Sequence, residues 1–177
     1  MSSELIRWGG LAAMLSGVVW IMQPLLALVV SDPDEALWLD ALFIIGVLLT
    51  LAGLVGLHAL QKRKYGRIGQ AGFYTVFLSS LAQILGLVVF LAGSEAFGWL
   101  IGLGSLGVLV GFVLYGAATL QARVLPRWCG VGLIVGLPAT IALENYGAIL
   151  FGLLWLALGY MLWSWRGAPA EQPSRVS

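Results

Sequence analysis

Residues 41–60 read ALFIIGVLLTLAGLVGLHAL, and no aspartate, glutamate, lysine or arginine interrupts them. An apolar run of this length, without strict alternation of polar and apolar residues, predicts a helix that crosses a hydrocarbon core of about 30 Å. A helix or a closed barrel is required there because lipid offers the backbone no hydrogen bonds. Similar runs on both sides predict six spanning helices in all, at about 8–30, 36–60, 68–92, 97–121, 128–143 and 146–165.

The composition supports the same class. Of 177 residues, 60% are hydrophobic and only 10% are charged, whereas soluble domains carry about 25% charged residues. This balance excludes an ordinary soluble domain, and its hydrophobicity excludes a disordered chain. The net charge of +1 gives no indication of a nucleic-acid partner. We therefore expect an all-α membrane protein whose principal partner is the lipid bilayer.

The charged residues predict the orientation. The basic residues lie at the N-terminus, in the second and fourth connectors, or at the C-terminus, and they are Arg7, Lys62, Arg63, Lys64, Arg67, Arg123, Arg127, Arg166 and Arg175. Most acidic residues lie at the opposite helix ends, namely Asp32, Asp34, Glu35, Asp40, Glu95 and Glu144. By the positive-inside rule both termini are predicted to be cytoplasmic, in a bacterial inner membrane. Residues 167–177, rich in proline and small residues, predict a disordered cytoplasmic tail.

A spacing of sixty residues suggests an internal repeat. Arg7, Arg67 and Arg127 each open an odd-numbered helix, and the same shift pairs Gln23 with Gln83. It also pairs Gly56 with Gly116. A third copy is shorter, and only its closing glycine and arginine, Gly159 and Arg166, match the ends of the first two copies. Three tandem hairpins, 1–64, 65–124 and 125–166, would then form one transmembrane domain around an axis normal to the membrane. Alternating topology alone would space the arginines in this way, but it would not pair the glutamines.

The fourth predicted span, 97–121, is rich in glycine, and these glycines are Gly98, Gly102, Gly104, Gly107, Gly111 and Gly116. Small residues let helix backbones approach closely in lipid. Packing within the bundle is the simpler interpretation. The alternative is an interface with a membrane-protein partner or with a second copy of the chain.

Signatures of catalysis are missing from the sequence. It lacks the motifs of zinc proteases, of serine hydrolases with a nucleophile elbow and of phosphate-binding loops. His58 is the only histidine and Cys129 the only cysteine, so neither a metal cluster nor an internal disulfide is indicated. We predict no catalytic residue, no metal and no cofactor.

Three polar residues form the candidate ligand-binding site. Gln23, Gln83 and Glu144 follow their arginines by 16, 16 and 17 positions, which places them at similar depth near the acidic ends of the helices. Polar side chains in a span usually face the protein interior or a cavity. A ring of two amides and one carboxyl group would suit a cation or proton coupling. The alternatives are interhelical hydrogen bonds, worth about 0.6 kcal/mol each, and for Glu144 a tight outer turn.

The boundary motifs carry a resemblance. Arg7-Trp8-Gly9-Gly10, Leu125-Pro126-Arg127-Trp128-Cys129-Gly130 and Leu158-Gly159-Tyr160-Met161-Leu162-Trp163 resemble a broad group of small, uncharacterised six-helix bacterial integral membrane proteins. The resemblance implies a fold of six helices, but it implies no activity for this chain. Two functions are therefore expected: a protein that binds or transports a small solute or a lipid-like ligand through a polar site, or a non-catalytic subunit of a larger complex.

Overall fold

The fold comes from a computed structural model that describes residues 3–30, 37–62 and 64–164. Within these ranges the chain forms six α-helices, a single 3₁₀ turn at Glu95–Phe97, and no strand. The helices are α1 Ser3–Ala27, α2 Leu37–Gln61, α3 Gly66–Leu91, α4 Trp99–Ala122, α5 Arg127–Ala142 and α6 Glu144–Trp163. The acidic connector 31–36 and the predicted tail 167–177 lie outside the described residues.

The prediction of six helices is confirmed, and the observed ends differ from the predicted ones by only a few residues, except that the first helix already begins at Ser3. Five of the helices are long and apolar enough to cross a membrane. The exception is α5, which has 16 residues. At 1.5 Å per residue α5 extends over about 24 Å, less than a hydrocarbon core of about 30 Å.

Local chemistry explains several helix ends. Gly66 and Gly93 have φ angles of +63° and +83°, a left-handed conformation in which glycine has no Cβ to clash. Gly66 therefore allows the tight connector between α2 and α3, and Gly93 the turn after α3. Pro126 precedes α5 with a φ of −53°, which suits the entry to a helix because proline lacks the N–H that a first turn leaves unbonded.

The helices alternate in direction and pack as an incomplete ring. Around it, α2 packs on α1, α1 on α6, α6 on α5, α5 on α4 and α4 on α3, whereas α2 and α3 touch only sparingly. We call the end that holds Arg7, Arg67 and Arg127 the basic end, and the end that holds Asp40 and Glu144 the acidic end. The three interfaces between successive hairpins are thus unequal, and the α2–α3 interface is the weakest of them.

Two interfaces between hairpins rest on glycine pairs. A Cβ atom built on Gly116 would lie 2.8 Å from the carbonyl oxygen of Gly130, and one built on Gly130 would lie 2.9 Å from that of Gly116. Between α6 and α1, the Cβ positions of Gly159 and Gly10 lie 2.6 and 2.9 Å from the partner's carbonyl oxygen. Backbones therefore meet directly at both places, which permits weak Cα–H···O contacts and close van der Waals packing.

Most glycines of α4 serve packing within the bundle. The Cβ positions of Gly104 and Gly111 lie 2.8 and 2.6 Å from backbone nitrogens of α3, those of Gln83 and Val76. Gly102 differs, because no described atom would lie within 4 Å of its Cβ. The intramolecular interpretation of the glycine-rich helix therefore accounts for at least these two residues of α4.

The outer surface of the bundle is apolar. Each helix exposes large aliphatic side chains, among them Leu15, Leu48, Leu78, Leu106, Val135 and Leu150. The interior holds a second apolar layer in which Trp155, Phe112 and Leu54 are almost completely buried. A continuous apolar exterior of this size is a liability in water and is typical of a surface that faces lipid.

Candidate functional site

The bundle interior contains a cavity of about 200 Å³ in its acidic half. Every helix contributes to its wall, for example through Trp20, Thr50, Ser80, Ser105, Thr140 and Phe151. The short α5 shapes this region, because its last turn supplies Leu137, Thr140 and Ile141 to the wall. The cavity is not fully enclosed.

Aromatic rings line one side of the cavity. Trp20 packs edge-on against Phe43 and Phe151, with ring centroids 5.6 and 5.5 Å apart. Phe112 meets Phe151 in a similar way at 6.0 Å. Edge-to-face arrangements at these distances are favourable and hold each ring in place. The site therefore offers a rigid apolar surface to a ligand.

A hydrogen-bond network joins α1 and α2 at the cavity wall. The Thr50 hydroxyl donates to the carbonyl oxygen of Gly46 at 2.8 Å and accepts from Trp20 Nε1 at 3.0 Å. The Ser16 hydroxyl lies 2.6 Å from the Thr50 oxygen. The side-chain donors of this network are all used within it. We therefore infer that the network holds Trp20 in place and does not bind a ligand.

The opposite wall carries unused hydrogen-bonding capacity. Gln83 Nε2 donates to the Ser105 hydroxyl at 3.0 Å, and that hydroxyl donates to the carbonyl oxygen of Ile101 at 2.8 Å. The Gln83 oxygen accepts no hydrogen bond from any described residue. Ser80 lies three residues earlier on the same face of α3, and it is only 3% exposed.

Ser80 is the most informative residue of this wall. Its hydroxyl lines the cavity and has no hydrogen-bond partner among the described residues. The Ser80 hydroxyl is not among the fully enclosed polar atoms without a partner, so water or a ligand in the cavity can complete its hydrogen bonds. The pair Ser80 and Gln83 can thus donate to and accept from one bound group.

The three residues predicted for the site have different positions. Gln83 lines the cavity, whereas Gln23 is half-buried on α1 and is not part of the cavity wall. Glu144 is the first residue of α6, directly after Leu143, so its backbone belongs to α6 and not to α5, the first helix of this hairpin. Its side chain lies outside the described part of the structure, and the three-residue ring stays a prediction.

Sequence reasoning missed the hydroxyl groups. Ser80, Ser105, Thr50 and Thr140 were not candidates, because hydroxyl side chains are common in membrane helices and can bond to their own backbone. The usable signal was the spacing of Ser80 and Gln83, which puts two polar side chains on one face of an otherwise apolar helix. No comparable signal marks Trp20, whose place in the wall depends on how α1 packs.

A second polar group lies at the basic end between α2 and α3. The Tyr65 hydroxyl shares a hydrogen bond with His58 Nδ1, and the His58 ring lies 4.1 Å from that of Phe73. Burial raises the pKa of Tyr65 to about 12, and nearby Tyr74 adds to the increase. The phenol therefore keeps its proton at physiological pH and can serve as the donor. These contacts join α2 to α3 at this end.

The remaining candidate reactive groups do not cluster in the described part of the chain. Cys129 is buried within the apolar core. In the described ranges, no group of three histidine, cysteine, aspartate or glutamate side chains could hold a metal ion. The buried side-chain amide of Gln61 has no hydrogen-bond partner in that part of the chain.

Comparisons with known proteins give no relative to argue from: no family model, no curated protein sequence and no solved structure matches this chain.

Proposed function

We propose that this chain is a multi-pass protein of a bacterial inner membrane, built from three tandem hairpins with both termini in the cytoplasm. The five long apolar helices and the apolar exterior support insertion in lipid. The segregation of all nine basic residues to one side supports the orientation. The glycine pairs Gly116–Gly130 and Gly159–Gly10 support the repeat. Gly10 and Gly130 are related by twice the shift of sixty, and Gly116 and Gly159 each lie seven residues before the arginine that follows their helix, Arg123 and Arg166.

Reporter fusions test this topology. A reporter that is active only in the cytoplasm should be active when fused after Gln172 and inactive when inserted between Asp32 and Asp34. A reporter that is active only outside the cytoplasm should give the reverse result. An active extracytoplasmic reporter after Gln172 would contradict the proposed orientation.

We further propose that the cavity binds a small neutral ligand, for storage, sensing or transport. The observation that carries this proposal is the pair of polar residues in the cavity wall, Ser80 and Gln83, whose hydroxyl group and amide oxygen have no hydrogen-bond partner among the described residues. No lining residue in the described part of the chain is charged. The cavity therefore favours a neutral ligand over the cation that the Glu144 ring would suit.

The test is extraction of the full-length protein from native membranes, followed by native mass spectrometry. We expect a small molecule to co-purify with the wild type and to be reduced about tenfold or more in the double variant Ser80→Ala/Gln83→Leu, because two hydrogen bonds of about 1 kcal/mol each are lost. Gln23→Leu is the matched control, since Gln23 is a half-buried glutamine outside the cavity, and it should retain the molecule.

A protein partner in fixed stoichiometry, together with an empty cavity in the wild type, would contradict ligand binding. That result would favour the alternative function, a non-catalytic subunit of a larger complex. Equal loss of the molecule in the double variant and in Gln23→Leu would also contradict the site, because it would reflect a general loss of structure.

A further inference from the structure

The ring of helices has one open seam, between α2 and α3. All other neighbours around the ring pack closely, whereas these two touch sparingly. Their named contacts, His58 with Phe73 and His58 with Tyr65, all lie at the basic end. Toward the acidic end, α2 and α3 both contribute to the cavity wall, for example through Phe43 and Gln83. The cavity thus borders both helices of the seam.

The repeat explains why this interface differs. The glycine pairs of the other two interfaces, Gly116–Gly130 and Gly159–Gly10, correspond at the α2–α3 interface to Gly56 and Gln70. Gln70 is exposed, and the Cβ position of Gly56 meets Gly9 of α1, not α3. Close approach of two helices in lipid depends on small residues at the crossing. At the α2–α3 interface, Gln70 takes the place of one of these glycines. Its larger side chain prevents close contact of the two backbones, so α2 and α3 stay apart.

The size and chemistry of the cavity define what could enter through the seam. Pockets for drug-sized ligands measure about 300–1,000 Å³, so a cavity of about 200 Å³ holds only a small head group or a short chain. Ser80 is buried in the cavity wall and Gln83 is half-buried beside it, while the outer faces of α2 and α3 are apolar. A molecule with a small polar head and an apolar chain fits this arrangement, with the head in the cavity and the chain in the bilayer.

We propose that the seam between α2 and α3 is a lateral entrance, and that the ligand is a neutral amphiphile of the bilayer whose head both donates and accepts a hydrogen bond. This inference rests on the proposed binding function and adds the route and the ligand class. The Ser80 hydroxyl donates to the head, the Gln83 oxygen accepts from it, and the chain leaves between α2 and α3.

Two photoactivatable forms of oleyl alcohol test the proposal, since its head is a single hydroxyl group. One carries a diazirine next to the hydroxyl-bearing carbon and the other at the end of the chain. Both are incorporated into phosphatidylcholine vesicles that contain the full-length protein. Specific labelling is the part that excess unlabelled oleyl alcohol removes, which separates the site from general contact with lipid.

The head probe should specifically label cavity residues such as Ser80 and Ser105, and this labelling should fall about tenfold or more in Ser80→Ala/Gln83→Leu. The tail probe should specifically label α2 and α3 and no other helix. The methyl ether of oleyl alcohol, which accepts but cannot donate, should compete about fivefold to tenfold less well.

The outcomes separate the two proposals. Specific head labelling in the cavity with tail labelling on α5 or α6 would overturn the lateral entrance and leave ligand binding intact. Absence of specific labelling by both probes would overturn the ligand class proposed here, while the co-purification experiment would still decide on ligand binding. Equal competition by the methyl ether would overturn the requirement for a donating head group.

Discussion

Replacing Gly17 with alanine is expected to destabilise the bundle by about 1–3 kcal/mol, the range typical of an overpacked interior. A Cβ atom at this position would lie 2.5 Å from the carbonyl oxygen of Gly152 and 2.7 Å from the backbone nitrogen of Leu156. Backbone atoms cannot rotate away as a flexible side chain can, so α1 and α6 would have to separate. The loss exceeds the gain in helix propensity of about 1 kcal/mol that alanine brings.

Gly102→Ala is the matched control. It makes the same chemical change within a helix, but no described atom lies within 4 Å of the added methyl group. This variant should therefore be as stable as the wild type or more stable by up to about 1 kcal/mol. Unfolding of the purified protein in mixed micelles of mild detergent and dodecyl sulfate measures both effects, and equal stability of the two variants would contradict the close contact of α1 with α6.

A double variant sharpens this prediction. Gly152 meets Gly17 reciprocally, with its own Cβ position 2.6 Å from the Gly17 carbonyl oxygen. After one alanine has moved the two helices apart, the methyl group of the second alanine has more space and costs less stability. Gly17→Ala/Gly152→Ala should therefore lose less stability than the sum of the two single variants, as expected for residues in direct contact.

Replacing Thr50 with valine is expected to cost about 1–3 kcal/mol, because the buried Ser16 hydroxyl loses its contact with Thr50 and the partly buried Trp20 Nε1 loses its acceptor. Valine has nearly the volume of threonine, so no cavity results. The lost bonds are those that tie α1 to α2, at 3.0 Å from Trp20 and 2.6 Å from Ser16. We expect ligand binding to weaken as well, since Trp20 forms part of the cavity wall.

Thr119→Val is the matched control for Thr50→Val. Thr119 is as buried as Thr50, with exposures of 1% and 5%, and it too donates to the carbonyl oxygen four residues earlier, that of Tyr115 at 2.9 Å. Such local bonds add little to helix stability, so the change should stay within about 0.5 kcal/mol. The same unfolding assay applies, and similar losses in both variants would contradict a structural role for the network between α1 and α2.

The existence and ends of the helices follow from the sequence alone. Apolar runs such as 41–60 are long enough to require a helix in lipid, and residues such as Gly66, Gly93 and Pro126 mark the connectors. The shortness of α5 is also visible in the sequence, because Glu144 and Asn145 interrupt the apolar run. These are local properties, set by a few neighbouring residues and by the solvent.

The candidate site could be predicted only in part. Gln83 stands out as an amide in an apolar helix, and the structure places it in the cavity wall. Gln23 has the same character and the same distance from its arginine, yet it lies outside the wall. A depth along the helix can be counted from the sequence, but the direction in which a side chain points depends on the neighbours of that helix.

Only the tertiary structure decides which helices are neighbours. Packing decides that α1 lies against α6, that α2 and α3 touch only sparingly, and that Ser80 lines a cavity. Lipid tails are as apolar as the side chains of these helices, so burying one apolar helix face rather than another gains little free energy. Hydrophobicity therefore does not determine which helices pack together. The choice depends on how closely backbones can approach at particular glycines, and such complementarity between distant segments appears only when the helices are assembled.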